Sequence, residues 1–151
     1  MTDRVLIIEG DPRLRRELTS ALTEAGFVVA DVSDILEANE IRELNPDIAI
    51  VDEVLPSGDG KGVCSLLYTV LNIPVILMGK ESSGEAWMAA VQAGADFYFT
   101  KPSTHQELVA RVKAILRRYK EAGLTLIEFW IIAAILCILV VVVIPKLLGW
   151  W

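Results

Sequence analysis

Twenty-one consecutive residues, Leu124 to Ile144, contain one charged side chain, Glu128, and one other polar one, Thr125. At about 1.5 Å rise per residue such a run crosses a hydrocarbon core of about 30 Å, so it reads as a membrane-spanning helix. A buried core helix is the alternative, and it is disfavoured because the residues before the run complete a fold without it. The hydrophobic fraction of 54% therefore averages two different materials. Glu128 and Lys146 are the only charges after Gly123, so the preceding part carries the whole net charge of −6. With 151 residues the chain has room for one domain of roughly 100 to 150 residues plus this appendage. The division expected is 1–120 for the domain and 121–151 for the span with its short tail.

The flanks set an orientation. Arg111, Lys113, Arg117, Arg118 and Lys120 precede the run and Lys146 alone follows it, and basic flanks stay cytoplasmic. The opening MTDRVLIIEGD has too short an apolar stretch, followed at once by acids, to be a secretory signal. A single-pass protein of the inner (cytoplasmic) membrane is expected, its N-terminal domain cytoplasmic and Trp150 and Trp151 at the far interface. An acidic domain without clustered Lys and Arg is not expected to bind nucleic acid. Cys64 and Cys137 have no metal-type spacing and read as small buried apolar residues.

From Arg4 onward, short apolar runs alternate with helical patterns, the sequence form of a parallel sheet covered by helices. Strands are expected at Val5 to Glu9, Phe27 to Val32, Asp47 to Asp52, Pro74 to Met78 and Asp96 to Thr100. The first helix opens at Asp11 and Pro12, carries Leu14, Leu18 and Leu22 on one face, and closes at Gly26. The second contains Ile35, Leu36, Ile41 and Leu44 and ends at Asn45 and Pro46. Gly58 and Gly60 mark a loop, the third helix covers Val63 to Leu71, and the fourth covers Ser83 to Ala93, stopped by Gly94. Trp87 in that fourth helix is expected in the core, with Met88 beside it. After Lys101 and Pro102, Thr104 to Glu107 (THQE) forms a capping box for a last helix through Leu108, Val109, Val112 and Leu116. His105 in its first turn reads as a surface histidine. The fold class is α/β: a doubly wound, five-stranded parallel sheet of flavodoxin-like type, plus one C-terminal transmembrane helix.

Ligands of such folds bind beyond the C-terminal strand ends. Glu9 and Asp11 follow the first strand, Asp52 ends the third, and Lys101 follows the fifth. Carboxylates held close together repel one another, and a hard divalent cation such as Mg²⁺ relieves that repulsion. A carboxylate there can attack a phosphoryl group while an ammonium pairs the transferred oxygens, which makes Asp52 the natural acceptor.

The segments VLIIEGDP, NPDIAIVDEVLPSGDG, NIPVILM, AGADFYFTKPS and ELVARVKAILRR, together spanning roughly residues 4 to 118, resemble the receiver domains of two-component response regulators. The resemblance implies a non-enzymatic module of phosphorelay signal transduction, partnered by a sensor histidine kinase or another signalling protein. It implies Asp52 as phosphoacceptor, Lys101 as the phosphate-binding lysine, Tyr98 as the switch aromatic and Glu9 as the first of the acidic pair; Glu9, Asp52 and Asp11, the last one place later than the family's ligand, are the weak Mg²⁺ set expected. Two positions depart from the pattern. Gly10 stands where the family has its main metal-binding aspartate, and Gly79 where it has a Thr or Ser that bonds the phosphoryl group. A domain with weak or no phosphorylation that acts by protein binding is therefore expected, with a working phosphoacceptor as the alternative.

The stretch KEAGLTLIEFWIIAAILCILVVVVIP resembles the N-terminal segment of type IV prepilins and pseudopilins. Gly123 matches the residue before the peptidase cut, Leu124 the first mature residue, Thr125 to Glu128 (TLIE) the conserved-type start with its glutamate, and Pro145 the helix-kinking proline. Arg117, Arg118 and Lys120 match the basic leader. The resemblance implies a third possibility, an assembly protein processed after Gly123, and self-association through the transmembrane helix with Glu128 as an assembly residue.

Overall fold

The protein is described by a computed structural model that covers residues 2–101 and 104–150, with the backbone alone at 124 and 125. Pro102, Trp151 and the side chain of Leu124 lie outside the described residues. The chain divides into two compact units, Met1–Leu116 and Arg117–Trp151.

In the first unit β1 (Arg4–Ile8), β2 (Val28–Val32), β3 (Ile48–Asp52), β6 (Val75–Gly79) and β7 (Phe97–Thr100) form one parallel sheet in the order β2-β1-β3-β6-β7. The strands are the apolar runs expected, buried on both faces as parallel sheets require. Leu6, Ile8, Ala49, Val51, Val75, Leu77 and Tyr98 face one layer of helices, α2 (Ala38–Leu44), α3 (Gly60–Leu66) and α4 (Gly84–Gln92). Val5, Ile7, Ile48, Ile50, Ile76, Met78 and Phe99 face α1 (Pro12–Glu24) and the start of α5 (His105–Ile138) through Leu18, Leu22, Leu108, Val112 and Leu116. The alternation of neighbours between the two cores is the period of two of a pleated strand.

The helix stops fall where expected. Gly26 and Gly94 take φ of 98° and 95°, and Asn45 closes α2 at φ 47°, a left-handed conformation asparagine tolerates. Asp11 caps α1 by accepting from the Arg13 N–H at 2.9 Å, and Ser83 caps α4 through the Ala86 N–H at 3.1 Å. At the start of α5, the Glu107 N–H donates to Thr104 Oγ1 at 3.3 Å, one leg of the capping box expected there.

Several local expectations are corrected. Ile35 and Leu36 precede α2 rather than lie in it, because Asp34 accepts from the backbone of Ile35 and of Ser57 and from the Ser57 hydroxyl, and the helix begins only where Glu40 accepts from the Glu37 N–H at 2.7 Å. The presumed plain loop after β3 contains a two-residue antiparallel hairpin, β4 (Val54–Leu55) with β5 (Gly58–Asp59). The third helix starts earlier, at Gly60, and its last turn, Leu67–Leu71, is π-helical. Trp87 is not in the core but 50% exposed, because Ala86 and Ala90 supply the inner face of α4. Cys64 is buried as expected, whereas Cys137 is exposed.

In the second unit α5 continues through Gly123 to Ile138, followed by a π-helical turn, Leu139–Val143, and α6 (Ile144–Leu147). The Ile144 N–H reaches back five residues to the Leu139 carbonyl, so the helix widens just before Pro145, whose ring cannot enter an undisturbed α-helix. The helical stretch His105–Leu147 is long and apolar enough to cross a membrane, with a mean hydropathy of 3.1 in its most apolar window. Beyond Leu116 its described apolar side chains form no core: Trp130 is 70% exposed and Leu147 80%.

Candidate functional site

β1 and β3 are neighbours, and the chain leaves them toward opposite edges of the sheet, so a crevice opens beyond their C-terminal ends. Glu9 follows β1 and Asp52 ends β3; Lys101 follows β7. Gly60 completes the positioning, since any Cβ there would collide with the Asp52 carbonyl, and its N–H donates to the Glu53 carbonyl at 3.0 Å. The start of α3 therefore rests directly on the backbone that carries the acid. A cleft of about 940 Å³ lies over these strand ends, bordered by Glu9, Asp11, Asp52, Glu53, Lys61 and Lys101.

The structure brings Glu9, Asp52 and Lys101 together. The Lys101 Nζ stands 2.7 Å from Glu9 Oε2 and 2.8 Å from Asp52 Oδ2, so one ammonium bridges two carboxylates. The other Glu9 oxygen accepts from the Asp11 N–H at 3.0 Å, and Asp52 Oδ1 from the Val54 N–H at 3.2 Å. Glu9 is the one charged residue among those described that is fully buried, at 1% exposure. Burial, reinforced by the Asp52 charge, holds its carboxyl above the ordinary range against the opposing hydrogen bonds from Lys101 and Asp11. Burial pulls the Lys101 ammonium down, but its hydrogen bonds to Asp52 and Glu9 outweigh that and leave it raised. A buried charge is stable only when paired in this way.

Asp11 borders the same cleft, yet its carboxylate is engaged as the cap of α1. Gly10 adds no oxygen, and a Cβ there would press on the Pro56 ring at 3.2 Å. Among the described residues no group of three His, Cys, Asp or Glu side chains is placed to hold a metal ion. Glu9 and Asp52, with the Lys101 ammonium between them, and Asp11, which caps α1 through one oxygen, are the residues that would hold a hard divalent cation, and Gly10 leaves that set one carboxylate short beside Glu9.

Tyr98 lies behind the acids, 7% exposed, its hydroxyl donating to the Glu81 carbonyl at 3.0 Å and standing 3.5 Å from Glu53 Oε2. Glu53 is in turn paired with Lys61 at 2.8 Å. Sequence reasoning missed Glu53 and Lys61; the signal was the second acid of Asp52-Glu53, which a strand's alternation sends to the opposite side from the first. His105 sits apart, half-buried, with Nε2 3.7 Å from Glu17 Oε2. Gly123 and Glu128 fall on the exposed helix of the second unit.

Residues 5–113 match the response regulator receiver domain, and the chain belongs to that family. It is 35% identical over 122 residues to the DNA-binding response regulator MtrA of Mycolicibacterium smegmatis, an overlap covering 80% of this chain and 54% of that protein. It is 38% identical over 120 residues to the transcriptional regulatory protein CseB of Streptomyces coelicolor, covering 79% and 51%. The chain thus spans about half the length of the curated relatives it matches. Among solved structures it is similar to a two-component response regulator from Clostridium difficile, with TM-score 0.73 and 30% identity over 78% of this chain and 98% of that one. The receiver domain of Francisella response regulator 1452 gives 0.69 and 26% over 78% and 99%.

Proposed function

We propose that the chain is a membrane-tethered receiver that signals by binding other proteins, with weak or no phosphorylation of Asp52. The observation that carries this reading is the incomplete acid set: Gly10 leaves no third carboxylate beside Glu9 and Asp52, Asp11 caps α1, and the Lys101 ammonium satisfies the two acids that remain. The partner expected is a sensor histidine kinase or another signalling protein. The net charge of −6, all in the N-terminal part, argues against nucleic acid as a partner of this receiver. The reading is non-enzymatic.

Incubation of the full chain with Mg²⁺ and acetyl phosphate, followed by intact-mass measurement, should leave Asp52 unmodified. Stoichiometric phosphorylation that disappears in Asp52→Asn would overturn the reading and establish the working phosphoacceptor instead. One feature favours that alternative: Lys101 already stands within 2.8 Å of Asp52, where it could pair the transferred oxygens.

Residues 121–151 act in this reading as a single-pass tether in the inner membrane with the receiver on the cytoplasmic side, supported by the uncovered apolar helix and by basic residues concentrated before it. The prepilin-like pattern of Gly123, Leu124 and Glu128 supports a further reading, processing after Gly123 and assembly through the released helix. Glu128, a carboxylate on an otherwise apolar span, needs a partner or a position near the interface, and self-association supplies the first. Intact mass of the membrane fraction separates the two: a species beginning at Leu124 establishes processing, and full-length protein alone establishes the tether.

A further inference from the structure

Gly79, the last residue of β6, has no room beside it. A Cβ built there would meet the Tyr98 hydroxyl, the Tyr98 Cζ and Glu53 Oε2, all closer than 3.0 Å, a separation real Cβ atoms essentially never show. The volume belonging to a side chain at position 79 is thus already filled from two directions. Tyr98 enters from β7, where its neighbour in register is Leu77, and Glu53 enters from the residue next to Asp52. Each group is fixed independently: the Tyr98 hydroxyl by the Glu81 carbonyl at 3.0 Å, the Glu53 carboxylate by Lys61 at 2.8 Å. Glu81 lies in the short loop that leads into α4, so Tyr98 fastens that loop to β7.

We propose that Gly79, Tyr98 and the Glu53–Lys61 pair form a built-in latch that keeps Tyr98 buried whatever the chemical state of Asp52, and so presents the α4 surface in one fixed form. The inference rests on the reading of Tyr98 as the receiver's switch aromatic. A switch needs an alternative place for its ring and a vacated space to enter. Here the space is permanent because glycine supplies it, and the ring's one hydroxyl proton is held by the Glu81 carbonyl while the Glu53 carboxylate closes the other side of the space. Burial first, then the Glu53 charge, also hold the phenol above its ordinary range, consistent with a hydroxyl that keeps its proton for the Glu81 carbonyl. The surface held constant includes Trp87, Met88 and Val91 of α4, exposed by 50%, 51% and 45%.

The test uses the full chain in detergent micelles with ¹³C-labelled tyrosine rings, the Tyr98 signal assigned by its loss in Tyr98→Phe. Relaxation by a soluble gadolinium chelate should show Tyr98 protected and in a single state, unchanged by Mg²⁺ and acetyl phosphate. Gly79→Ala should raise its relaxation several-fold as the ring is expelled. Because that variant could lose its fold, Gly79→Ala is also made in a Tyr98→Leu background. The latch requires the two changes to be strongly non-additive in urea stability, with much or all of the Gly79→Ala loss recovered once the phenol is gone. Additive losses, or a Tyr98 signal that exchanges between buried and exposed states in the parent chain, would overturn it. The intact-mass measurement on the same samples keeps the two ideas apart. A phosphorylated Asp52 with an unmoved Tyr98 removes the reading of a receiver with weak or no phosphorylation and leaves the latch, whereas an unmodified Asp52 with a mobile Tyr98 does the reverse.

Discussion

Ile50 in β3 and Ile135 in α5 are the same residue in opposite circumstances: the first is 0% exposed and the second 53%. The contrast extends to whole regions. The receiver unit encloses its aliphatic groups in two cores and pairs its buried charge, and among the described residues no buried side-chain polar atom lacks a partner. The C-terminal unit exposes nearly every apolar group it has. Water explains the first arrangement by the hydrophobic effect, and the second suits the apolar solvent that the proposed tether would occupy. On the proposed tether reading the two units suit two solvents, and the substitutions below weigh one against the other.

The largest expected effect is at the Lys101 bridge. Lys101→Met leaves buried Glu9 facing Asp52 without a counter-charge, which costs about 3 kcal/mol, the lower end for broken buried pairs because Lys101 and Asp52 keep 17% and 13% side-chain exposure. The pH dependence has a definite sign. Glu9 already lies above its ordinary 4.5 through burial, and losing the opposing Lys101 bond moves it higher. Between 4.5 and that folded value the native state binds a proton that the unfolded chain does not, so the deficit should shrink as pH falls through this window. In the parent chain the Lys101 contribution is complete below 10.5 and lost as pH rises past its raised folded value. Urea unfolding at several pH values checks both. A deficit that grows on acidification would contradict the assignment.

Next comes the matched pair. Ile50→Ala should destabilise the receiver by about 2–5 kcal/mol through a cavity that the sheet cannot close. Ile135→Ala should leave urea unfolding of the receiver unchanged, since Ile135 contributes to no core. A polar probe reverses the sensitivity. Val140→Asp in the apolar helix should cost up to about 2.5–3.5 kcal/mol of membrane insertion, read as a lower inserted fraction in a quantitative insertion assay, while Val28→Asp, at a strand position 52% exposed, should change little in either place. An insertion free energy that does not change on Val140→Asp would break the tether account.

How much of this was legible in the sequence follows the same division. Strands such as Val5 to Ile8 and Ile48 to Asp52 announce themselves because a strand buried on both faces is a continuous apolar run, and the acids at their ends then converge by topology alone. The reading failed where the decisive partner is distant in sequence. The start of α2 depends on Asp34 meeting Ser57, and the latch on Glu53 meeting Tyr98, contacts set by loop geometry and strand register. Trp87 misled for another reason. Both faces of α4 are apolar, and residue size suggested that tryptophan was the inner one, yet the close approach of helix to sheet admits only Ala86 and Ala90. The extent of α5 was hidden because Gly123 weakens a helix by only about 1 kcal/mol, too little to end one flanked by good helix formers.

The smallest effect tests the weakest link of the receiver's charge pattern. Arg13 and Glu17 pair on α1 at 3.1 Å, with side chains 85% and 43% exposed. Unlike the Lys101 bridge, this pair stays hydrated, so desolvation neither strengthens its attraction nor penalises its loss. Arg13→Ala should cost about 0.3–0.5 kcal/mol, and the difference should vanish in molar salt, where exposed charges are screened within about 3 Å. The Lys101→Met deficit should persist in the same salt, because the carboxylate it leaves behind is buried. A common salt response for both variants would mean that the strand-end site is as wet as the helix surface, and the closed charge triad behind the proposal of weak or no phosphorylation would open.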